Sequence, residues 1–368
     1  MTNSSKVLFL LHLPQPVHGS SMIGLSIKES IEINHVFDCE YINLTASQQV
    51  SETGKFNLRK IVGFMITFAK LFWTLSRKRP QLCYLALTST GIAFYKDLIL
   101  IALIKAFRIK RVYHMHNKGV SLHQNQFINR ICYRFVFSSA QVILLSKNLF
   151  YDINKFVKEE SVHICQNGIP DLGLHEKTKE VGTKNIVRIL FLSNLIESKG
   201  VFVLLEALAL LTRKGVSYES VFIGAEFDIS VAQFNSRVLQ LGISDFVIYQ
   251  GAKYGEEKEK AILEADIFIF PTCYETFGLF LLEAMSYSLP VVSTFEGGIP
   301  DIVEDGVTGY LAPQRNVELL AEKLELLIMN PELRRQMGEA GRKKFEKEFT
   351  LEIFEQRLIA ILQKIIKK

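Results

Sequence analysis

The chain has 368 residues, 48% of them hydrophobic and 22% charged, a composition that excludes collagenous, disordered and disulfide-framework proteins. Five widely spaced cysteines without a Cys-x-x-Cys motif argue against a zinc cluster and favour a reducing, cytoplasmic setting. Residues 1–180 hold 22 Lys+Arg against 12 Asp+Glu, a net charge of +10, whereas residues 181–368 hold 21 against 26, a net charge of −5. This asymmetry predicts that one of two domains meets an anionic surface or substrate.

In the first half of the chain, short apolar runs alternate with longer helical patterns, which is typical of parallel α/β units. The predicted strands are Lys6–Leu11, Leu82–Leu87, Val112–His116, Ala140–Ser146 and Ser161–Cys165. The predicted helices lie near 20–33, 58–78, 92–107, 124–137 and 147–157. No signal peptide is expected at the N-terminus, and no apolar run reaches the roughly 20 residues of a membrane-spanning helix.

The second half repeats the pattern after a polar segment, Asp171–Asn185. Its predicted strands are Val187–Leu192, Ser220–Ile223, Phe246–Tyr249, Ile267–Phe270 and Pro290–Ser293. Its predicted helices lie near 200–214, 231–241, 256–264, 278–287, 300–304, 316–329, 331–346 and 350–367. The predicted organisation is an N-terminal domain (1–175), a linker (176–185), a C-terminal domain (186–348) and a last helix (349–368) that packs back on the N-terminal domain.

The most informative stretch is Phe270–Asp301, which is predicted to run from a strand through a loop into a helix, then into a strand and a Gly-rich turn. Glu275 ends the loop, and Glu283 follows about two turns into the helix. Backbone N–H groups at the helix start favour a phosphate, because they are unpaired there and the helix dipole is positive. The residues that would present these groups are Thr276, Phe277, Gly278 and Leu279.

This stretch resembles the retaining glycosyltransferases of family 4, which share its Glu, seven residues, Glu motif and the Ala-Met, Pro and Gly-Gly series that follows. The resemblance implies the GT-B fold, in which two doubly wound, Rossmann-like parallel-sheet domains face each other across a cleft. It also implies a nucleotide-sugar donor, transfer with retention of configuration, and neither a metal nor another cofactor. By the same resemblance Glu275 contacts the transferred sugar and Glu283 holds the nucleotide ribose.

A second strand-to-helix turn, Phe191–Gly200, carries Lys199 at the helix entrance, where a cation can stabilise a departing diphosphate. The family usually has Gly-Arg in this turn, and this chain has Ser193 and Asn194 instead. Three interpretations stay open: Asn194 donates hydrogen bonds to the diphosphate, another cation replaces the Arg, or activity is weak. A plain exposed lysine is the alternative interpretation of Lys199.

The N-terminal half contributes weaker signals. In the loop Leu13–Met22, Gly19 permits a tight turn and Ser20 or Ser21 is predicted to cap the next helix, while the resemblance implies that this loop, which includes His18, meets the diphosphate and the acceptor. His116 is predicted to contact the donor sugar at the end of its strand, with His114 structural. Asn167 and Gly168 suit a positive-φ turn beside the cleft.

The helices near 58–78 and 92–107, together with the turn after the second, combine aromatic and basic residues, which predicts binding to an anionic bilayer surface. These residues are Phe64, Phe68, Phe72, Trp73, Arg59, Lys60, Lys70, Arg77, Lys78, Arg79, Lys105, Arg108, Lys110 and Arg111. The alternative is that the aromatic residues pack inside and the charges are a solvated face.

The sequence therefore predicts a cytoplasmic, peripherally membrane-bound glycosyltransferase that moves a sugar from a UDP- or GDP-sugar to a lipid-diphosphate-linked saccharide in surface polysaccharide synthesis. No nucleic acid partner and no metal are expected. A GT-B nucleotide-sugar 2-epimerase or phosphorylase, and a non-enzymatic nucleotide-sugar-binding subunit, stay as alternatives.

Overall fold

The computed structural model describes residues 4–15, 17–45, 58–172 and 186–367. The chain divides into two compact units, one formed by Met1–Asn167 with Leu351–Lys368 and the other by Gly168–Thr350. The first unit ends before the predicted domain end at residue 175. The predicted linker, 176–185, lies outside the described residues.

The first unit is built on a parallel six-stranded sheet with the strand order β2-β1-β3-β4-β5-β6. Its strands are β1 (Lys6–Leu11), β2 (Asp38–Asn43), β3 (Leu82–Leu87), β4 (Lys110–Met115), β5 (Gln141–Leu144) and β6 (Val162–Ile164). All five predicted strands of this half are confirmed. The sequence analysis missed β2, an edge strand in which only Ile42 is buried and which therefore has no apolar run.

Helices connect the strands of the first sheet. They are α1 (Gly19–Glu29), α2 (Ile31–Val36), α3 (Leu58–Arg77), α4 (Gly91–Ala106), α5 (Val120–His123) and α6 (Phe127–Phe137). The single helix predicted over 20–33 was wrong, because the Ser30 hydroxyl accepts a hydrogen bond from the Ile33 N–H at 3.1 Å and starts a second helix. Residues 147–157 form a 3₁₀ helix over Lys147–Asp152 rather than a full helix.

The second unit has its own parallel six-stranded sheet, with the order β12-β11-β10-β7-β8-β9. Its strands are β7 (Val187–Leu192), β8 (Tyr218–Ile223), β9 (Val247–Tyr249), β10 (Ile267–Ile269), β11 (Val291–Thr294) and β12 (Gly309–Ala312). Its helices are α7 (Val201–Arg213), α8 (Val231–Leu241), α9 (Gly255–Glu264), α10 (Leu279–Ser286), α11 (Ile299–Ile302), α12 (Val317–Met329) and α13 (Pro331–Glu348). The four-residue strand β12 was not predicted.

The order of this second sheet reverses between β7 and β10, which are hydrogen-bonded neighbours. The chain leaves β7 toward β8 on one side and leaves β10 toward β11 on the other. The loops that follow β7 and β10 therefore leave the sheet at the point where its order reverses, and in doubly wound folds the ligand crevice lies there, at the carboxyl edge of the sheet.

The last helix, α14 (Leu351–Lys367), belongs to the first unit and packs on α2. Its buried apolar residues recur at helical spacing and form one packing face; they include Phe354, Leu358, Leu362 and Ile365. Within the described part of the chain, no helix is both long and apolar enough to cross a membrane.

Candidate active site

The loops after β7 and β10 bring Lys199 and Glu275 together, although 76 positions separate them in the chain. Lys199 ends a 3₁₀ turn, and its Nζ lies 2.9 Å from Glu275 Oε2 and 2.9 Å from the Tyr274 carbonyl oxygen. Both side chains are about one-fifth exposed. The predicted pair of donor-site residues is thus a partly shielded ion pair at the crevice.

Backbone contacts hold these two loops against each other. The Cys273 N–H donates to the Ser198 carbonyl oxygen at 2.7 Å. Gly200 has a positive φ of 82°, and a Cβ there would lie 2.1 Å from the Pro271 carbonyl oxygen. Only glycine allows this approach. In the Lys-Gly pair, Lys199 therefore supplies the charge and Gly200 allows the two loops to pack closely.

The start of α10 departs in one respect from the expectation of free phosphate-binding N–H groups. The Glu275 carboxylate oxygen Oε1 accepts from the Thr276 N–H at 2.9 Å and from the Phe277 N–H at 3.4 Å. Two of the four predicted donors therefore already bind an internal anion, the side chain of the preceding residue. Gly278 is the N-cap of the helix, and Leu279 is its first residue.

Asn194 follows β7 at the position where the family usually has Arg. Its Oδ1 accepts from the Ala225 N–H at 3.1 Å, in the loop after β8. This bond orients the amide, so its NH₂ end is the one that can donate to a phosphate. A Cβ on neighbouring Gly224 would lie 1.9 Å from the Ser193 carbonyl oxygen, so glycine is required for the two loops to meet.

Glu283 lies in α10 and is paired with a residue that the sequence analysis did not single out. Lys258 Nζ lies 2.8 Å from Glu283 Oε2, and the Glu283 side chain is only 14% exposed. Lys258 belongs to no motif, and nothing in the sequence marks it among its neighbours on α9.

In the first unit, the predicted residues lie at the carboxyl edge of the sheet. His116 directly follows β4. His18 is the N-cap of α1, whose first residues are Gly19 and Ser20, and the His18 Nδ1 accepts from the Ser21 N–H at 3.2 Å. The prediction that Ser20 or Ser21 caps this helix was wrong, because the preceding imidazole supplies the acceptor.

The rings of His114 and His116 contact each other at a tilt of 36°, with their centroids 4.1 Å apart, and the Tyr84 hydroxyl lies 2.5 Å from His114 Nδ1. Burial, together with the nearby imidazoles of His12 and His18, lowers the pKa of His116 to about 3. Burial and the His116 imidazole lower the pKa of His114 well below its ordinary value. These imidazoles are therefore neutral at pH 7.

We expect the free energy of unfolding to fall as the pH is lowered from 7 to 5. Burial lowers the pKa of His12 to about 4, so His12, like His114 and His116, stays neutral in the folded chain while its unfolded counterpart binds a proton near pH 6.5. This stability is present above pH 6.5 and is lost as the pH falls toward the folded pKa values. Burial raises the pKa of Asp97 to about 7, so the contribution of this carboxyl to stability changes with pH in the opposite direction. The three imidazoles outnumber this single carboxyl, so the net free energy of unfolding should still fall.

Denaturant unfolding at pH 7, 6 and 5 measures this loss, and Asp97→Asn should steepen it because the opposing group is removed. A free energy of unfolding that stays constant or rises between pH 7 and pH 5 would contradict the expectation.

Asn167 and Gly168 lie where the chain passes from one unit to the next. Asn167 is buried. The predicted positive-φ turn is wrong, because neither residue has φ in the left-handed region. Across the described residues, no group of three or more His, Cys, Asp or Glu side chains could hold a metal ion.

Two doubly wound units of this kind form the GT-B fold of glycosyltransferases, and the chain superposes on solved structures of that class. An Anabaena protein, HepE, in complex with UDP and glucose has a TM-score of 0.73 at 19% identity, with 98% of this chain and 99% of that chain covered. A glycosyltransferase from Rickettsia africae has a TM-score of 0.75 at 16% identity, and both chains are fully covered.

Residues 174–344 match the family model described as glycosyl transferases group 1. This segment includes Asn194, Lys199, Glu275 and Glu283. The amylovoran biosynthesis glycosyltransferase AmsK of Erwinia amylovora is 28% identical over 71% of this chain and 66% of its own length. The capsular polysaccharide biosynthesis glycosyltransferase CapM of Staphylococcus aureus is 26% identical over 63% of this chain and 64% of its own length. The chain thus matches slightly less than two thirds of each relative.

Proposed function

We propose that this chain is a retaining glycosyltransferase that transfers a sugar from a UDP- or GDP-sugar to a lipid-diphosphate-linked saccharide during synthesis of a surface polysaccharide. The relatives named above act in amylovoran and capsular polysaccharide biosynthesis. Solved structures of HepE contain UDP and UDP-glucose. The proposal includes neither a metal nor a nucleic acid partner.

The observation that carries the proposal is the Lys199–Glu275 pair in the crevice of the second sheet. The two hydrogen bonds of Lys199 among the described residues use two of the three N–H donors of its ammonium group. The third donor is left for an oxygen of the diphosphate. Glu275 can accept hydrogen bonds from hydroxyl groups of the sugar, while its negative charge holds the Lys199 ammonium group in place.

The reaction breaks the bond between the anomeric carbon and the diphosphate oxygen, and the acceptor oxygen forms the new bond on the same face of the sugar. The departing phosphate takes the proton of the acceptor hydroxyl, so no side chain acts as a nucleophile. Negative charge grows on the diphosphate as the bond breaks, and Lys199 together with the NH₂ group of Asn194 stabilises it. Glu283 binds the ribose, and His116 binds the donor sugar as a neutral hydrogen-bonding group.

The first unit would bind the acceptor, and three of its helices support a membrane-borne one. α3 contacts α4, and α4 contacts α6. All three expose large apolar side chains: Ile61, Val62, Met65, Ile66, Phe72 and Trp73 on α3; Ile92, Tyr95 and Ile99 on α4; Phe127, Ile128, Ile131 and Phe135 on α6. We call these residues the apolar surface. Phe64 and Phe68 are half-buried, whereas Phe72 and Trp73 are exposed.

The exposed charged residues of α3, α4 and α6 are of one sign. Lys70, Arg77, Arg130 and Arg134 are exposed on α3 and α6. The only acidic residue in α3, α4 and α6 is Asp97, which is buried. Exposed apolar groups on helices that also expose cations, and no acidic residue, fit a bilayer that contains anionic lipid. We therefore propose that the protein is cytoplasmic and binds peripherally to the inner face of the plasma membrane.

The double variant Ile66→Glu/Trp73→Glu should lose most of its sedimentation with anionic liposomes, since two charges would enter the apolar surface. Wild-type binding should fall at high salt and on neutral vesicles. Leu239→Glu/Met329→Glu, which changes two exposed residues of the second unit, is the matched control and should bind like wild type. Equal binding by the first variant, or no salt-sensitive binding by wild type, would refute membrane docking here.

The transfer reaction is tested by incubating the full chain with UDP- and GDP-sugars, with and without a lipid-diphosphate saccharide, and analysing every product. Transfer needs the acceptor and yields an extended lipid-linked saccharide. Release of free nucleotide with an altered sugar would instead indicate a 2-epimerase, and a requirement for inorganic phosphate would indicate a phosphorylase. Nucleotide-sugar binding without turnover would indicate a non-enzymatic subunit.

A further inference from the structure

Among the described residues, the Glu283 carboxylate has one ion-pair partner, an ammonium group of the helix α9. Glu283 Oε2 is buried and accepts no hydrogen bond from the described residues, and Lys258 Nζ lies 2.8 Å from it as an ion-pair partner. The side chains are 14% and 26% exposed, so water screens this pair only in part. An uncompensated carboxylate at this depth would be costly, which gives Lys258 a definite physical role.

Two successive residues of α9, Lys258 and Glu259, make polar contacts with α10 and its C-cap residue. Beside the Lys258–Glu283 pair, the Tyr287 hydroxyl donates to Glu259 Oε1 at 2.8 Å. Lys258 Nζ also lies 6.0 Å from the centroid of the Phe280 ring. Lys260, two positions further along α9, is exposed. α9 therefore directs one of its two lysines at the carboxylate and leaves the other in solvent.

We propose that Lys258 is a positioning residue for nucleotide recognition. Its ammonium group lies 2.8 Å from the buried Oε2 and holds the carboxylate in position, which leaves Oε1 to accept hydrogen bonds from the vicinal hydroxyls of a ribose. The ligand class is a ribonucleoside diphosphate, and the arrangement discriminates against a 2′-deoxyribose because a charged acceptor loses one of its two hydroxyl donors. This inference rests on the proposed nucleotide-sugar function and adds a residue that sets the preference of the site for ribose over 2′-deoxyribose.

Calorimetric titration of the full chain tests this role. Wild type is first titrated with UDP and with GDP, and the tighter-binding nucleotide is then compared with its 2′-deoxy form in every variant. Lys258→Met should weaken ribonucleotide binding about tenfold and reduce the preference for ribose over deoxyribose. In a transfer assay the KM for the donor should rise, while kcat and the KM for the acceptor change little. Lys258→Arg should restore most of the preference, and Lys260→Met is the matched control and should behave like wild type.

A double-mutant comparison keeps the test valid if Lys258→Met alone folds poorly. In a Glu283→Gln background the charge at position 283 is gone, so adding Lys258→Met should fold and should not weaken nucleotide binding further. An additional weakening in that background would overturn the inference.

The outcomes separate the inference from the function on which it rests. If wild type binds ribonucleotide and Lys258→Met binds it equally well with the same ribose preference, the inference is wrong and the function stands. Tighter binding by Lys258→Met would also overturn it, since Lys258 would then compete with the ribose for Glu283. If wild type binds neither UDP nor GDP, both the proposed function and the inference are wrong.

Discussion

Replacing Lys199 with methionine should lower kcat for sugar transfer by about 10²- to 10³-fold at saturating donor. The family Arg is absent at Asn194, and in the proposed reaction Lys199 is the cation that stabilises the diphosphate as negative charge develops. Its pairing with Glu275 at 2.9 Å keeps it in place before the donor arrives. The initial rate of nucleotide release in the presence of acceptor measures the loss.

The control for this variant is Lys214→Met, which removes a lysine from a more exposed ion pair with Glu325 in the same unit. It should retain transfer within about twofold, because exposed ion pairs contribute little. Glu275→Ala, the companion variant, should abolish most transfer while Glu283 still allows nucleotide binding. Undiminished transfer by either Lys199→Met or Glu275→Ala would refute the proposed site.

Gly224→Ala should destabilise the second unit by about 3 kcal/mol, the upper end of what overpacking costs. The added Cβ would lie 1.9 Å from the Ser193 carbonyl oxygen and 2.7 Å from the Asn194 nitrogen. These are backbone atoms, so relief requires the loop after β7 to move, and nucleotide binding should weaken because Asn194 moves with it. Denaturant unfolding and calorimetric titration with UDP or GDP measure the two effects.

Gly215→Ala separates the collision from backbone strain. Gly215 also has a positive φ, 75°, but nothing lies within 4 Å of a Cβ placed there. It should cost only the roughly 1–2 kcal/mol of a left-handed alanine and should leave nucleotide binding unchanged. Equal stability losses for Gly215→Ala and Gly224→Ala would show that the contact with Ser193 does not matter.

Most of the fold could be predicted because its strands are buried apolar runs. β1, β3 and β7 begin and end where the sequence predicts. β2 escaped prediction because an edge strand need not be apolar, and its Asp38 and Asn43 are exposed. The helix break at Ser30 depends on one side-chain cap, which a periodicity of apolar residues does not reveal.

The candidate site was predictable where it coincides with a local motif. Glu275, Glu283 and Lys199 are marked by their neighbours in sequence and by the family resemblance. Lys258 is not, because its role arises from the packing of α9 on α10. His18 as the cap of α1 was missed because serine is the commoner N-cap and two serines follow it.

The sequence by itself determined two α/β halves of opposite charge, a Glu-x₇-Glu motif and a lysine at a strand-to-helix turn, because these depend on residues close together in the chain. Only the tertiary structure decided that Lys199 meets Glu275, that Lys258 meets Glu283 and that Phe72 and Trp73 stay exposed while Leu71 and Leu75 are buried. Such pairings and exposures depend on which loops and helices the sheet order brings together. The hydrophobic pattern of a single segment does not indicate which other segments will pack against it.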